Sequence, residues 1–297
     1  MRQRVLVTGS EGFTGKYVCE EFARAGWEVW GAGVKPKPLD ERYLQINLLQ
    51  PETLKSIANK VKPDLVVHLA ALAFVAQQDP ALFYQVNVIG TRNLLEALCN
   101  QNTPPECTIL ASSANVYGNS ELEILDESSA TQPANDYAVS KLAMEYLAKT
   151  FSNQLPITIT RPFNYTGVGQ SDRFLIPKIV DHFRRQAPVI ELGNLDVARE
   201  FSDVRDVALN YRLLAEHRPI GETINLCSGQ PLSLNECLSL VSEISGHELA
   251  VTVNPAFVRT NEVARLSGDR TKLESLIAAP TPRDFGETLE WMLRYPL

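Results

Sequence analysis

Arg4-Val5-Leu6-Val7-Thr8-Gly9-Ser10-Glu11-Gly12-Phe13-Thr14-Gly15 decides the fold of this chain. The first five residues form a short β-rich run, and three glycines spaced three apart follow at once. A helical pattern comes next, with Val18, Cys19, Phe22, Ala23 and Ala25 on its apolar side, and Gly26 stops it. Strand, glycine turn and helix in that order let the backbone approach a pyrophosphate at a helix N-terminus, where unpaired N–H groups favour negative charge. The expected ligand of the turn is a dinucleotide, held by Gly9, Gly12, Phe13, Thr14 and Gly15. The spacing is G-x-x-G-x-x-G rather than G-x-G-x-x-G.

The second strand reads from Trp27 to Gly33. NAD sites usually place an Asp or Glu at its end to bind the adenosine ribose 2′-hydroxyl. Val34 and Lys35 stand there instead. A cation suits a 2′-phosphate, so the expected cofactor is NADP, with NAD as the alternative. Tyr43–Leu48 reads as a third strand that brings Asn47 and Leu48 to the cofactor, Asn47 meeting an adenine edge. Pro51-Glu52 opens a helix reaching about Lys60. Asp64–Ala71 is an apolar run of the length of a buried parallel strand, and Leu69, Ala70 and Ala71 at its end should border the cofactor. His68, inside that run, is expected to be a satisfied core residue rather than an acid or base.

A long helix is expected over residues 81–100, with Asn87 and Gly90 inside it, and Thr108–Ala111 is the next strand. A helix from about Tyr137 to Phe151 leads to the strand Pro156–Thr160, which ends at Arg161-Pro162-Phe163-Asn164. Strand–helix alternation of this kind specifies an α/β, Rossmann-type, doubly wound parallel sheet with right-handed crossovers. Ligands of such sheets sit at the carboxyl ends of the strands. Gly9, Ala70, Ser113 and Asn164 all fall there. Asn87, Tyr137, Lys141, Pro162 and Asn164 complete the candidate cofactor wall.

Chemistry is expected between Ser112 and Lys141. Tyr137 and Lys141, four apart on a helix, share one face. A nearby ammonium makes a phenol easier to ionise. A serine hydroxyl could hydrogen-bond the same reacting oxygen. Together the three make a proton donor or acceptor for a carbonyl or alcohol.

After Asn164 the texture changes. Tyr165–Gln170 reads as a loop and Phe174–Gln186 as a helix containing Pro177. Phe201–Glu216 and the strand Glu222–Leu226 read as a return to the first domain. Ser233 and Glu236 form a capping box for a helix ending at Gly246. Residues 1–163, with return segments over about 201–226, form the expected dinucleotide-binding domain. Residues 164–200 and 227–297 form a smaller, partly discontinuous substrate domain.

At 297 residues, 44% hydrophobic and 21% charged, the chain has the composition of a globular protein with ample core. A net charge of −7 without a basic run argues against a nucleic-acid partner. Five cysteines, odd in number and without C-x-x-C, read as buried thiols of a reducing compartment. A strand directly after Met1 leaves no room for a signal peptide, and no apolar run nears the roughly 18 residues of a membrane span. The expected location is the cytoplasm.

The G-x-x-G-F-x-G turn, the Ser-Ala-x-Val-Tyr-Gly segment (113–118) and Tyr137-x-x-x-Lys141 together resemble the extended short-chain dehydrogenase/reductases that act on nucleotide-diphosphate sugars. The resemblance covers essentially the whole chain. Arg161-Pro162-Phe163-Asn164, Gly193-Asn194-Leu195, Arg199–Asp206, Arg259-x-x-Glu262-Val263 and Gly268-Asp269 are similar to one branch, the GDP-mannose 4,6-dehydratases and GDP-4-keto-6-deoxy-mannose reductases. The resemblance implies that Ser113, rather than Ser112, joins Tyr137 and Lys141 as the catalytic set. It also implies that Asn164 contacts the sugar nucleotide, that Arg199 and Arg259 hold the nucleotide and its diphosphate, and that Glu262 hydrogen-bonds a ribose. Arginine suits phosphate because it binds it bidentately. A homodimer through the helices near 81–100 and 137–151 is implied in the same way.

Asn115 is the departure. Dehydratases of this group carry a Glu there, and an amide is neither a general acid nor a base near neutral pH. Asn115, facing substrate, therefore counts against dehydration. The expected reaction is hydride transfer from NADPH to the keto group of a nucleotide-diphosphate 4-keto-6-deoxyhexose, GDP-linked by resemblance. A sugar-nucleotide 4-epimerase or 4,6-dehydratase is the alternative, and a non-catalytic NADP sensor a remote one.

Overall fold

The computed structural model describes residues 3–37, 40–73, 79–195, 197–255 and 265–295. Arg259 and Glu262 lie outside the described residues.

In chain order the elements begin with β1 (Arg4–Thr8), α1 (Phe13–Arg24), β2 (Glu28–Gly33), β3 (Tyr43–Gln45), α2 (Pro51–Val61) and β4 (Leu65–His68). Next come α3 (Ala81–Phe83), a wide π-type stretch (Tyr84–Gly90), α4 (Thr91–Cys99), β5 (Cys107–Ala111), a 3-10 turn (Ala114–Tyr117) and β6 (Ile124–Leu125). Then follow α5 (Asp136–Lys149), β7 (Ile157–Pro162), β8 (Tyr165–Thr166), α6 (Leu175–Arg184), β9 (Val189–Leu192), β10 (Ala198–Glu200) and β11 (Ser202–Asp203). The chain closes with α7 (Val204–His217), β12 (Thr223–Leu226), β13 (Pro231–Ser233), α8 (Leu234–Ser245), β14 (Ala250–Val253), β15 (Arg265–Gly268), α9 (Thr271–Ile277) and α10 (Phe285–Arg294).

Seven strands form one parallel sheet in the order β12-β7-β5-β4-β1-β2-β3. The chain runs outward from β1 to β3, then returns to β4 on the other side of β1. That reversal opens a crevice at the carboxyl ends of β1 and β4. Alternation along each strand splits its side chains between two helix layers. Leu6, Val66 and Leu110 join a core with Leu54, Leu94, Leu98 and Met144 from α2, α4 and α5. Val5, Val7, Val67 and Ile109 face the opposite core, with Phe22, Val207, Leu214 and Leu273 from α1, α7 and α9. Burial on both faces explains why these strands read as continuous apolar runs.

A third core gathers Ile176, Ile179 and Phe183 of α6, Cys237 and Val241 of α8, and Leu289 and Met292 of α10. The small sheet β14-β9 and the strands β13, β10 and β15 belong to these later segments, with β6 from the segment after β5 pairing onto β15. The capping box on α8 is present, with the Ser233 hydroxyl accepting the Glu236 N–H at 3.1 Å and the Glu236 carboxylate accepting the Ser233 N–H at 2.7 Å. All five cysteines are free thiols. Among the described residues no helix is long and apolar enough to cross a membrane.

Three elements differ from the sequence reading. The third strand ends at Gln45, so Asn47 and Leu48 follow it as irregular chain. The helix expected over 81–100 is divided by the π-type stretch, which turns Asn87 and Gly90 inward. Gly90 is needed there, since a Cβ on it would lie 2.8 Å from the Leu48 Cβ. Tyr165 and Thr166, expected in a loop, pair with β11 as a two-residue strand.

Candidate active site

The glycine turn is shaped by close backbone approach. Gly9 has φ +71°, and a Cβ on it would lie 2.8 Å from the Ala70 N. A Cβ on Gly15 would fall 2.1 Å from the Gly9 carbonyl oxygen, so α1 can begin where it does only with glycine there. Gly12, by contrast, has just the Gly9 oxygen near its missing Cβ, at 3.1 Å, and is exposed. The turn thus presents bare backbone to the crevice at the start of α1.

A cavity of about 1230 Å³ opens above it. Its walls bring together Gly9, Gly12, Phe13, Thr14 and Gly15 of the turn, Leu69 and Ala71 after β4, and Ser112, Ser113 and Asn115 after β5. Tyr137 and Lys141 of α5, Pro162 and Asn164 at the end of β7, and Arg199 of β10 complete it. The strand ends therefore converge on one space that reaches from the glycine turn to the C-terminal segments.

Lys141 is 5% exposed, and its ammonium donates to the Ala111 carbonyl at 2.7 Å, fixing α5 to the end of β5. Burial pulls the Lys141 pKa down to about 8, against the opposing pull of the Glu145 carboxylate one turn on. Tyr137 lies beside it, the ammonium 6.0 Å from the ring centroid. Burial pushes the Tyr137 phenol up to about 12; the facing Ser113 hydroxyl draws it down and Tyr165 raises it. The ammonium was expected to ease ionisation of the phenol; in the folded chain burial dominates and keeps the phenol protonated. Ser113 caps the 3-10 turn, its oxygen accepting both the Asn115 N–H and the Asn115 side-chain amide.

Several candidates sit elsewhere. Asn87 is buried, bonding the Leu72 N–H and C=O and the Ser140 hydroxyl, and it is a brace behind the wall. Ala70 packs beneath Gly9 and donates its N–H to Thr8. Leu48 is a core residue, because the run after β3 keeps its alternating burial without pairing. Asn47 is exposed and accepts the Leu49 N–H at 3.0 Å. None of these, nor exposed Lys35, lines the cavity.

His68 is a satisfied core residue between Thr8 (2.7 Å) and Thr91 (3.0 Å). Burial first, and the Lys141 charge second, lower its pKa to about 3, so it is neutral. Among the described residues no cluster of His, Cys, Asp and Glu could hold a metal ion.

Other residues emerge that the sequence reading passed over. The Thr14 hydroxyl lies 2.8 Å from the Tyr165 hydroxyl, and Phe13 stacks on the Tyr165 ring at 6.2 Å. These contacts join the glycine turn to the segment after β7. Beneath the site, Arg161 forms a buried two-point ion pair with Glu145 (2.9 and 2.7 Å) and donates to the Tyr117 hydroxyl. Glu11 carries its carboxylate to the end of β2, accepting the Val34 and Lys35 N–H groups. The signal for Glu11 was its place inside the glycine turn; that for Glu145 was its position four residues after Lys141.

Comparison with known proteins finds relatives along most of the chain. A sequence model of the NAD dependent epimerase/dehydratase family matches residues 5–227. GDP-6-deoxy-D-talose 4-dehydrogenase of Aggregatibacter actinomycetemcomitans is 38% identical, covering 92% of this chain and 91% of its own. GDP-6-deoxy-D-mannose reductase of Pseudomonas aeruginosa is 35% identical, covering 92% and 90%. The structure of RMD from Pseudomonas aeruginosa complexed with NADPH superposes with a TM-score of 0.86 at 33% identity, covering 99% of this chain and 97% of that one.

Proposed function

The chain belongs to the NAD-dependent epimerase/dehydratase family, and from that premise we propose that it is a reductase of a nucleotide-diphosphate 4-keto-6-deoxyhexose, with GDP as the favoured nucleotide. The observation that carries this reading is the buried, protonated Tyr137 phenol beside Ser113 and Lys141, with an amide at Asn115. Both relatives are named for GDP-linked 6-deoxyhexoses, which supports the sugar class. The RMD complex supports a nicotinamide dinucleotide.

The exposed backbone of Gly12 at the start of α1 suits a pyrophosphate, since no side chain stands in its way. The bound nicotinamide supplies the hydride. Tyr137 gives its phenolic proton to the carbonyl oxygen of the sugar. Ser113 donates to the same oxygen, its own acceptor sites being taken by Asn115. Lys141, charged below about pH 8, offsets negative charge growing on that oxygen. Arg199 and Asn164 on the far wall hold the substrate, as do Arg259 and Glu262 by resemblance, so that remote binding orients the carbonyl. In this division of labour residues 164–200 and 227–297 serve the sugar nucleotide and the parallel sheet serves the dinucleotide. The proposal includes a cytoplasmic homodimer, supported by the free thiols and by exposed Ile89, Val139 and Tyr146 on the π-type stretch and α5.

The test is incubation of the enzyme with GDP-4-keto-6-deoxy-mannose and a reduced nicotinamide dinucleotide. Consumption of the dinucleotide with formation of a GDP-6-deoxyhexose is expected. Isomerisation of a sugar nucleotide without net consumption would mark an epimerase, and dehydration of GDP-mannose would overturn the reading of Asn115.

A further inference from the structure

The end of β2 is occupied by a carboxylate that the order of the sequence hides. Gly33 closes β2, and a Cβ on it would lie 2.7 Å from the Glu11 carboxyl carbon. Glu11, in the middle of the glycine turn, reaches across from the end of β1. One of its oxygens accepts the N–H groups of Val34 (3.2 Å) and Lys35 (3.3 Å); the other accepts the Lys35 N–H (3.2 Å) and the Tyr43 hydroxyl (2.5 Å). The Tyr43 phenol is pushed up, by burial first and then by its bond to Glu11, so the hydroxyl keeps its one proton, shared between Glu11 and the Lys35 carbonyl at 2.6 Å. Three donors make four contacts with the carboxylate, and the shared Lys35 N–H is long to both oxygens, at 3.2 and 3.3 Å, so a ribose hydroxyl can displace one of these weak contacts.

In sheets of this kind the adenosine ribose rests against the end of β2, and an acid there binds its 2′-hydroxyl. That acid is absent from β2 itself, where Val34 and Lys35 follow Gly33. Lys35 and Lys37 bring positive charge to the same corner, with the Lys37 ammonium 4.7 Å from the Tyr43 ring centroid. Glu11 is the negative charge set against them.

We propose that Glu11 weighs the two dinucleotides against each other: its carboxylate accepts the adenosine ribose 2′-hydroxyl of NADH and disfavours the 2′-phosphate of NADPH. This rests on the reading that a nicotinamide dinucleotide lies along the glycine turn, and it assigns to Glu11 a role no β2 residue can fill. The balance between the cofactors is then set by one carboxylate borrowed from the turn against the lysines that follow β2.

The test is fluorescence titration of the sugar-free protein with NADH and with NADPH, for the wild type, Glu11→Gln and Glu11→Ser. Each variant should move the ratio of the two dissociation constants toward NADPH by about tenfold or more, because a like charge is removed and an acceptor is lost. The ratio is internal to one preparation, so a partly unfolded sample does not distort it. An unmoved ratio, or one that moves toward NADH, overturns the role of Glu11. Binding of neither dinucleotide by the wild type would instead overturn the reading of the turn beneath it.

Discussion

Asn115 holds Ser113 by two hydrogen bonds, the Ser113 oxygen accepting the Asn115 main-chain N–H at 3.2 Å and its side-chain amide at 3.1 Å. With both acceptor sites filled, the serine hydrogen is free to point toward the phenol and the substrate. The amide that argues against dehydration is thus also a support for the serine.

Asn115→Ala removes the side-chain bond and leaves the main-chain one. The loss of one neutral hydrogen bond predicts a kcat lower by about two- to tenfold with KM little changed. Asn115→Asp should be more damaging, because a carboxylate would draw the Ser113 hydrogen to itself. Steady-state kinetics of the two variants check both; an Asp variant better than the Ala variant would contradict the arrangement.

Tyr137→Phe takes away the proton and leaves the ring in its pocket beside Phe83. Turnover should fall by about a thousandfold, within the range of lost general acid catalysis. Dinucleotide affinity, followed by fluorescence, should stay within about twofold. A Phe variant with wild-type turnover would remove Tyr137 from the mechanism.

Lys141 should set the alkaline limb of activity. Its pKa is drawn down to about 8, so the ammonium is present below that pH and lost above it. The rate of reduction at saturating substrate should therefore fall as pH rises through about 8, with the phenol, up near 12, still protonated. Lys141→Met should flatten that limb while lowering the rate throughout. A limb unchanged in the Met variant would assign it to another group.

Arg161 and Glu145 are a buried pair, 6% and 2% exposed. Removing one partner leaves the other charge buried and unpaired, which costs about 3–5 kcal/mol. Urea denaturation of Arg161→Met should register a loss of that size. Changing both to Met and Leu should recover much of it, since apolar replacement of a whole buried pair is often neutral. A single variant as stable as the wild type would show that the pair is solvated.

His68 ties acid stability to the core. Its folded pKa of about 3 lies below its ordinary 6.5, so between those values the unfolded chain binds the extra proton. Stability from this group is present above about pH 6.5 and is lost as pH falls toward 3, by a few kcal/mol in total. His68→Asn should lower stability at neutral pH yet soften its dependence over that window. An equally steep dependence in the variant would place the acid sensitivity elsewhere.

The sequence made the parallel sheet legible because each of its central strands is apolar on both faces and each is followed by a helical period. Tyr137 and Lys141 could be paired for a local reason, being one helical turn apart, whereas choosing Ser113 over Ser112 two residues past β5 needed the family resemblance. Asn47 and Leu48 were misplaced since alternating burial runs on past Gln45 after hydrogen-bonded pairing has stopped. Glu11 and its partners Val34 and Lys35 are separated by more than twenty residues, and only the approach of β1 to β2 brings them together. Arg161 was read as part of a strand-end motif; its bond to Glu145 needs β7 and α5 packed together.

The π-type stretch Tyr84–Gly90 works as a phase change in a long helical segment. It carries one more residue in a turn than a regular helix would, so everything after it is clocked differently from everything before. Deleting a single residue there would restore regular winding and swing Thr91 by about 100° relative to Ala81–Phe83. Thr91 would part from His68, and Asn87 from the loop after β4. The rim of the crevice therefore depends on a surplus residue in a helix that braces it from behind.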